Sequence, residues 1–327
     1  MNNLQIRIRH VPSSPGDFEL REAPAPRLTN GSFLARALWL GLDPFVVGGT
    51  DGAAGAAYGV LRSGDLVPAR GVGQVIESRH DVFAAGSLVV LDCGLQELCV
   101  SAGDHARLLH PGQTPASTAL GVLGAPGMAA YFGLLDLARL NPGETVLVSA
   151  AANAAGAMAG QIAMLKGARA IGIASSREKA EWVVRHARFT ACLNHAAEDV
   201  HARLKQLAPR GVDVYFDNSG GELLETVVAG RHLARGGRIV QNSLRPAQPA
   251  ALLGRGGYSP SEGVRVLSMH VGDYEHRRGE FLRDAIAWYG AGRIAAKNHI
   301  VEGLANAPAH LLLALQGGNF GRPLIKV

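Results

Sequence analysis

Up to about residue 118 the chain alternates apolar and polar positions in short segments, among them "LQIRIRH", "SFLARALWLGLDP", "GVGQVIES" and "SLVVLDCG", separated by Gly, Pro and Asp. A period of two broken by turn residues predicts half-buried strands, so this part reads as a β-rich, barrel-like module. From Thr145 the grammar changes. Apolar runs "TVLVSA", "ARAIGIAS", "ACLNH", "VDVYFDN", "GRIVQNS" and "VRVLSMHV" are separated by segments of helical period such as "EKAEWVVRHA", "AEDVHARLKQLA" and "ELLETVVAGRHL". Six short strands joined by crossover helices predict a doubly wound parallel sheet, and the fold class is α/β. A further helix, "RGEFLRDAIAWYGAGRI", leads into "HIVEGLANAPAHLLLALQGGNFGRPLIKV", which reads as helix then strand and is able to rejoin the first module.

The stretch "VLVSAAANAAGAMAGQ" runs a β-branched block straight into small residues. In a dinucleotide-binding unit the first strand ends in a tight turn whose backbone approaches a pyrophosphate, and the next helix aims its N–H groups at that anion. Small residues serve this purpose as well as glycine. Ala152, Asn153, Ala154 and Ala155 surround the turn, Asn153 being a residue that takes left-handed backbone readily. Gly156 stands where the helix must lie close on the strand, and Gly160 follows one helical turn later. An alanine-rich core helix explains the same letters, but the setting after a strand and before a series of βα units favours the dinucleotide site.

A bare ribose is usually held by an Asp or Glu about 20 residues after the glycines. That position instead offers Ser175, Ser176, Arg177 and Lys179 in "IGIASSREKAEW", with no acid at the strand tip. Hydroxyls and cations suit a 2′-phosphate, so the expected cofactor is NADP(H). The competing reading makes Ser175 and Glu178 a capping box, with Lys179 turned to solvent. Cations in the first turn of a helix oppose its dipole unless an anion is present, which favours the phosphate.

Composition narrows the class. With 327 residues, 47% hydrophobic and 18% charged, the chain is long enough for about two domains of ~150 residues. No run approaches the ~20 apolar residues of a membrane helix, and "MNNLQIRIRH" lacks the apolar core of a secretory signal, so the expected location is cytoplasmic. Three cysteines, Cys93, Cys99 and Cys192, form no CxxC pair and are expected to be free thiols. The net charge of +5 comes from scattered Lys and Arg, which argues against a nucleic-acid partner and leaves a phosphate-bearing small molecule.

The stretches "LGLDPF", "GVGQVIES", "LGVLGAPGMAAYFGLLDLARLNPGETVLVSAAANAAGAMAGQIAMLKG", "GVDVYFDNSGGELLETV" and "VEGLANAPAHLLLALQGGNFGRPLIKV" run almost end to end. In them the chain resembles the zinc-independent medium-chain dehydrogenase/reductases, in the branch of the leukotriene and prostaglandin reductases and the bacterial curcumin-reductase-like enzymes. The resemblance implies a GroES-like β-barrel module over 1–118, completed by 293–327, and a Rossmann domain over 119–292. It further implies NADPH in the cleft, reduction of the carbon–carbon double bond of α,β-unsaturated carbonyl compounds, and a homodimer. Three isolated cysteines cannot supply both the catalytic and the structural zinc of the zinc alcohol dehydrogenases. A reductase without metal needs a hydrogen-bond donor at the developing enolate and an acid for the α-carbon, roles that suit tyrosine.

Alignment with the family points to Tyr58, in "TDGAAGAAYGVL", as the proton donor, against the alternative of a loop aromatic. Tyr131 and Tyr215 read as packing residues, and Tyr258 and Tyr274 as possible substrate contacts. The family's "GAISxYN" is replaced by "IVQNSLRPAQPA", which has no tyrosine. Arg245 there is a candidate charge for the carbonyl, or else a solvated loop residue, and Ser243 is counted among the cofactor contacts. His195 stands where relatives carry a tyrosine at the 2′-phosphate, and the Arg of "DPYMR" is missing from "DPFVVGG". Asn218 in "FDNSGG" and Asn319 in "GGNFGRP" match family residues that reach the cofactor. Two other functions stay open: a quinone oxidoreductase of the same superfamily, and a non-catalytic NADP(H)-binding protein.

Overall fold

A computed structural model describes residues 2–10, 14–43, 61–242 and 248–327. Two compact units emerge, Met1–Leu120 with Asn298–Val327, and Gly121–Lys297. The first holds β1 (Asn2–Ile8), β2 (Phe18–Pro24), β3 (Phe33–Gly41), β4 (Arg70–Ser78), β5 (Leu88–Asp92), β6 (Leu98–Ser101) and β7 (Arg107–Leu108). β1 and β2 pair antiparallel. β3 pairs with both β4 and β6, so most of its side chains are buried on either face. Around it Ile6, Phe33, Leu42, Val89 and Leu91 form one apolar core.

The second unit opens with α1 (Ala125–Phe132), which runs into a π-helical turn at Gly133–Leu137. Strand and helix then alternate through β8 (Thr145–Val148), α2 (Ala154–Leu165), β9 (Arg169–Ala174), α3 (Arg177–Arg185), β10 (Ala191–Asn194) and α4 (Val200–Leu207). They continue through β11 (Val212–Asp217), α5 (Gly221–Ala229), β12 (Leu233–Gln241), α6 (Pro249–Arg255), β13 (Arg265–Ser268) and α7 (Arg278–Gly290). Among the described residues the sheet order is β10-β9-β8-β11-β12-β13, every neighbouring pair parallel. The order reverses between β8 and β11, and ligands of such sheets bind at the carboxyl edge of that switch point.

The chain returns to the first unit through β14 (Asn298–Glu302), α8 (Ala307–Leu315) and β15 (Arg322–Lys326). β15 pairs antiparallel with β3, and β14 lies parallel beside it at the sheet's end. The sequence reading of helix then strand omits β14. "NHIVE" is short and its two apolar residues are adjacent rather than alternating, so only the ladder with β15 makes it a strand. Ile300 on it is exposed.

Close packing explains why α2 is so poor in large residues. Ala154 to Ala163 are all buried, as expected of a helix that is apolar all round. A Cβ on Gly156 would lie 2.4 Å from the Ala150 carbonyl oxygen, and one on Gly160 would run into the Phe189 ring. α3, by contrast, buries only Val183.

One charge pair anchors β12. Arg238 is 7% exposed; its Nη1 and Nη2 donate to Glu144 Oε1 (2.9 Å) and Oε2 (2.7 Å), and its Nε donates to the Ala138 carbonyl (3.0 Å). Burial by itself would raise the Glu144 pKa. The two-pronged bond from Arg238 and the Asn141 N–H outweigh it and hold the carboxyl below its ordinary 4.5. Glu144→Ala leaves the guanidinium buried without its partner and is expected to cost about 3 kcal/mol in urea unfolding, the low end for a broken buried pair because Glu144 keeps some solvent contact. Since the folded-state pKa is lowered, this contribution is complete above the ordinary value and is lost as pH falls through the folded one. Wild type and Glu144→Gln should therefore converge in unfolding midpoint at acid pH; a constant gap would contradict the assignment.

Candidate cofactor site

The site grows from the turn after β8. Ala150 takes left-handed backbone, φ 48°, at a cost of roughly 1 kcal/mol for a residue with a Cβ. That turn sends the Ala151 N–H to the Ile173 carbonyl of β9 (3.0 Å) and the Asn153 N–H back to the Ala150 carbonyl (2.9 Å). Asn153 was expected to supply left-handed backbone and does not; its φ is −81° and its ψ 172°. It is the N-cap of α2 instead, its Oδ1 accepting the Gly156 N–H at 2.6 Å. A capping side chain satisfies one donor of the first turn, and the N–H groups of Ala154 and Ala155 are left by helical geometry without an intrahelical acceptor. These donors, on a helix that begins beside the switch point, suit an anion.

At the tip of β9 the helix α3 starts one residue later than the capping-box reading places it. Ser176, not Ser175, is the N-cap, its Oγ accepting the Lys179 N–H at 3.2 Å. The third helical residue is thus Lys179 rather than Glu178, and no capping box forms. Lys179 folds back, Nζ donating to Ser175 Oγ at 3.0 Å, and is half-buried. Burial lowers its pKa, disfavouring the bare ammonium, a cost that a neighbouring anion would offset. Arg177 is turned away and pairs with Glu181 at 2.8 Å. His195, just past β10, is exposed, and its N–H donates to the Ala174 carbonyl at the end of β9.

Asn218 sits where β11 ends. Its Nδ2 donates to the Ser149 carbonyl (2.8 Å) and its Oδ1 accepts from Asn242 Nδ2 (2.9 Å), so both ends of the amide are tied within the protein. Beneath it lies a network that sequence reasoning missed. Asp217 is fully buried and accepts from Ser149 Oγ (3.0 Å), Tyr215 OH (3.1 Å) and the N–H groups of Ser219 and Gly220. Ser149 Oγ in turn accepts the N–H groups of Asn218 and Ser219. Burial raises the Asp217 pKa, and the four donors oppose it. The available signal was a polar residue at the end of each of two strands that the topology makes neighbours, Ser149 after "VLV" and Asp217 in "YFDN".

The tyrosines sort by their hydroxyls. Tyr131 donates to Asp284 (2.7 Å), and Tyr215 is the buried donor just described. Tyr258, read as a possible substrate contact, is buried, and its oxygen accepts the Leu233 N–H at 3.0 Å. Tyr274, the other such candidate, stacks on Phe132 at 4.4 Å and donates to Asp136; burial and that bond push its pKa up to about 12. Each hydroxyl thus ties distant parts of the second unit together. Asn319, in the first unit, donates from Nδ2 to the Gly321 carbonyl at 2.6 Å. Tyr58, Ser243 and Arg245 lie outside the described residues. Among the described residues no cluster of three or more His, Cys, Asp or Glu could hold a metal ion, and no helix is long and apolar enough to cross a membrane.

Known proteins match the whole of this architecture. Residues 4–109 match the family described as the N-terminal domain of oxidoreductase, and residues 154–283 the family described as zinc-binding dehydrogenase. Prostaglandin reductase 1 of Bos taurus is 36% identical over 325 residues, covering 95% of this chain and 94% of its own length. The NADPH-dependent curcumin reductase of Escherichia coli K12 is 34% identical, covering 97% of this chain and 94% of its own. The crystal structure of CurA from Vibrio vulnificus in complex with NADPH superposes with a TM-score of 0.90 at 32% identity, covering 99% of each chain. The chain belongs to the medium-chain dehydrogenase/reductases, in the branch that contains the prostaglandin reductases and the curcumin reductases.

Proposed function

We propose that the protein is an NADPH-dependent reductase of the carbon–carbon double bond of α,β-unsaturated carbonyl compounds. The observation that carries the cofactor is the start of α3. Ser175, Ser176 and a half-buried Lys179 gather at a helix N-terminus with no carboxylate at the tip of β9. A 2′-phosphate fits this donor set, and it relieves the clash between Lys179 and the helix dipole. His195, beyond the end of β10, is a further donor for it. The free N–H groups of Ala154 and Ala155, with Asn153 and Gly156 setting the turn, hold the pyrophosphate. Asn218, Ser243 and Asn319 complete the contacts. Kinship with an NADPH-dependent curcumin reductase supports the same reading.

When bound, NADPH supplies a hydride for the β-carbon of the enone. This chain's residues then have two tasks, to stabilise charge on the carbonyl oxygen as it grows and to deliver a proton to the α-carbon. Tyr58 is the proposed proton donor and Arg245 the proposed charge at the carbonyl. The first unit, Met1–Leu120 with Asn298–Val327, carries the substrate module, and the second, Gly121–Lys297, the cofactor domain, in place of the boundaries 1–118, 293–327 and 119–292 expected from the sequence. A cytoplasmic homodimer completes the reading.

Fluorescence titration with NADPH and NADH, followed by a simple enone and then a quinone, tests the assignment. NADPH-selective binding with oxidation on the enone and a saturated carbonyl product is expected; oxidation on the quinone alone would overturn it. Lys179→Ala should weaken NADPH by about 10- to 100-fold, the worth of a charge-assisted hydrogen bond, and leave NADH within about twofold. Equal losses for the two would remove the 2′-phosphate assignment. Tyr58→Phe should lower kcat by ~100-fold or more with NADPH affinity unchanged, and normal turnover would exclude it as the donor.

A further inference from the structure

Two of the three cysteines are brought together in the core of the first unit, and no step of the proposed reaction uses them. Cys93 follows β5, just before Gly94, whose φ is 71°. Cys99 is on β6, opposite Ala35 of β3. The Cys93 thiol donates to Cys99 Sγ at 2.6 Å, and the two residues are 3% and 2% exposed. Backbone holds both sides of this contact. The N–H groups of Cys93 and Gly94 both donate to the Ala69 carbonyl at 2.9 Å, and the Leu95 N–H donates to the Val67 carbonyl at 2.8 Å. Neither sulfur can turn to solvent without breaking part of a sheet, and each has the other as its nearest reactive neighbour.

We infer that Cys93 and Cys99 are a modification site, a sealed dithiol that closes to an intramolecular disulfide when hydrogen peroxide is the oxidant. One sulfur takes an oxygen from peroxide, giving a sulfenic acid and releasing water. The second sulfur attacks the first; the S–S bond forms as the S–O bond breaks, and the departing hydroxide leaves as water with the remaining thiol proton. In all, two thiols lose two electrons and two protons, and one peroxide becomes two waters. The hydrogen bond to Cys99 and burial both push the Cys93 thiol well above its ordinary value, so alkylating reagents and peroxide alike meet little thiolate in the folded protein and oxidation is slow, on the timescale of local opening. Peroxide is small enough to enter on the local openings of a packed core, and the contact ensures that a sulfenic acid there meets a thiol before a second oxidant. Cys192 lies in the other unit, its thiol pushed up to about 12 by burial, and serves as an internal control.

The full-length protein is treated with hydrogen peroxide, quenched, unfolded in the presence of N-ethylmaleimide and digested with trypsin. One peptide, 80–107, contains both Cys93 and Cys99, and a separate peptide, 189–203, contains Cys192. The expected result is that peptide 80–107 loses both alkylation sites and is lighter by two hydrogens than the reduced form, while Cys192 is alkylated as before; dithiothreitol restores both sites. In Cys93→Ser and Cys99→Ser the remaining sulfur cannot link and is found alkylated or over-oxidised. Three outcomes overturn the inference: both cysteines of 80–107 still alkylated after peroxide, sulfinic acids without a link, or linkage between chains. Because the wild-type protein alone decides between them, the test stands even if a serine variant misfolds.

Discussion

The Ala150 carbonyl oxygen lies where a side chain on Gly156 would begin, and the carboxyl edge of the parallel sheet is built on that approach. With no Cβ at Gly156, α2 can start directly on the end of β8. Ala150 accepts left-handed backbone to turn the chain, Asn153 caps the helix, and helical geometry gives the next two N–H groups no intrahelical acceptor. Gly160 repeats the constraint one turn on, where the Phe189 ring occupies the space. Neither glycine is needed for its own flexibility. Each is there because another group already fills the volume.

The second support of the edge is polar. Ser149 and Asp217 end neighbouring parallel strands, and the hydroxyl of one bonded to the carboxylate of the other joins β8 to β11 at the point where strand order reverses. Burying a carboxylate is costly, and the cost is offset by four donors converging on it. The same serine fixes the Asn218 backbone and side chain, and Asn242 fixes the other end of that amide. One flank of the edge is thereby rigid. The other, at Ser175 and Lys179, is exposed to half-buried, with the Lys179 ammonium folded back on the Ser175 hydroxyl.

Much of this was legible in the letters. The six strands of the second unit were read within a residue or two at most ends, because apolar runs separated by helical periods leave little choice of fold. Lys179 and the missing acid were visible because they are residue types at a known distance from a glycine. The misreadings were local chemistry that packing reassigned. Asn153 has the side chain both for a left-handed turn and for a cap, and the position of α2 on β8 chose the cap. Two serines precede α3, either able to cap it; the end of β9 selected the second. The hydroxyl partners of Tyr258 and Tyr274 were not legible either, since Leu233 and Asp136 arrive from distant parts of the chain.

Alternation and composition alone determine an α/β chain with a β-rich first part, a small-residue turn at the head of a βα series, and hydroxyls with a cation where a carboxylate would otherwise stand. Those features are periodic or local, and they survive without knowing what lies across the sheet. The Ser149–Asp217 bond, the pairing of β14 with β15, and the meeting of Cys93 with Cys99 were decided only on folding. Each joins groups whose neighbourhood is set by strand order and register. A hydrogen bond or a thiol contact depends on distances of a few tenths of an ångström, and no period in a sequence carries that.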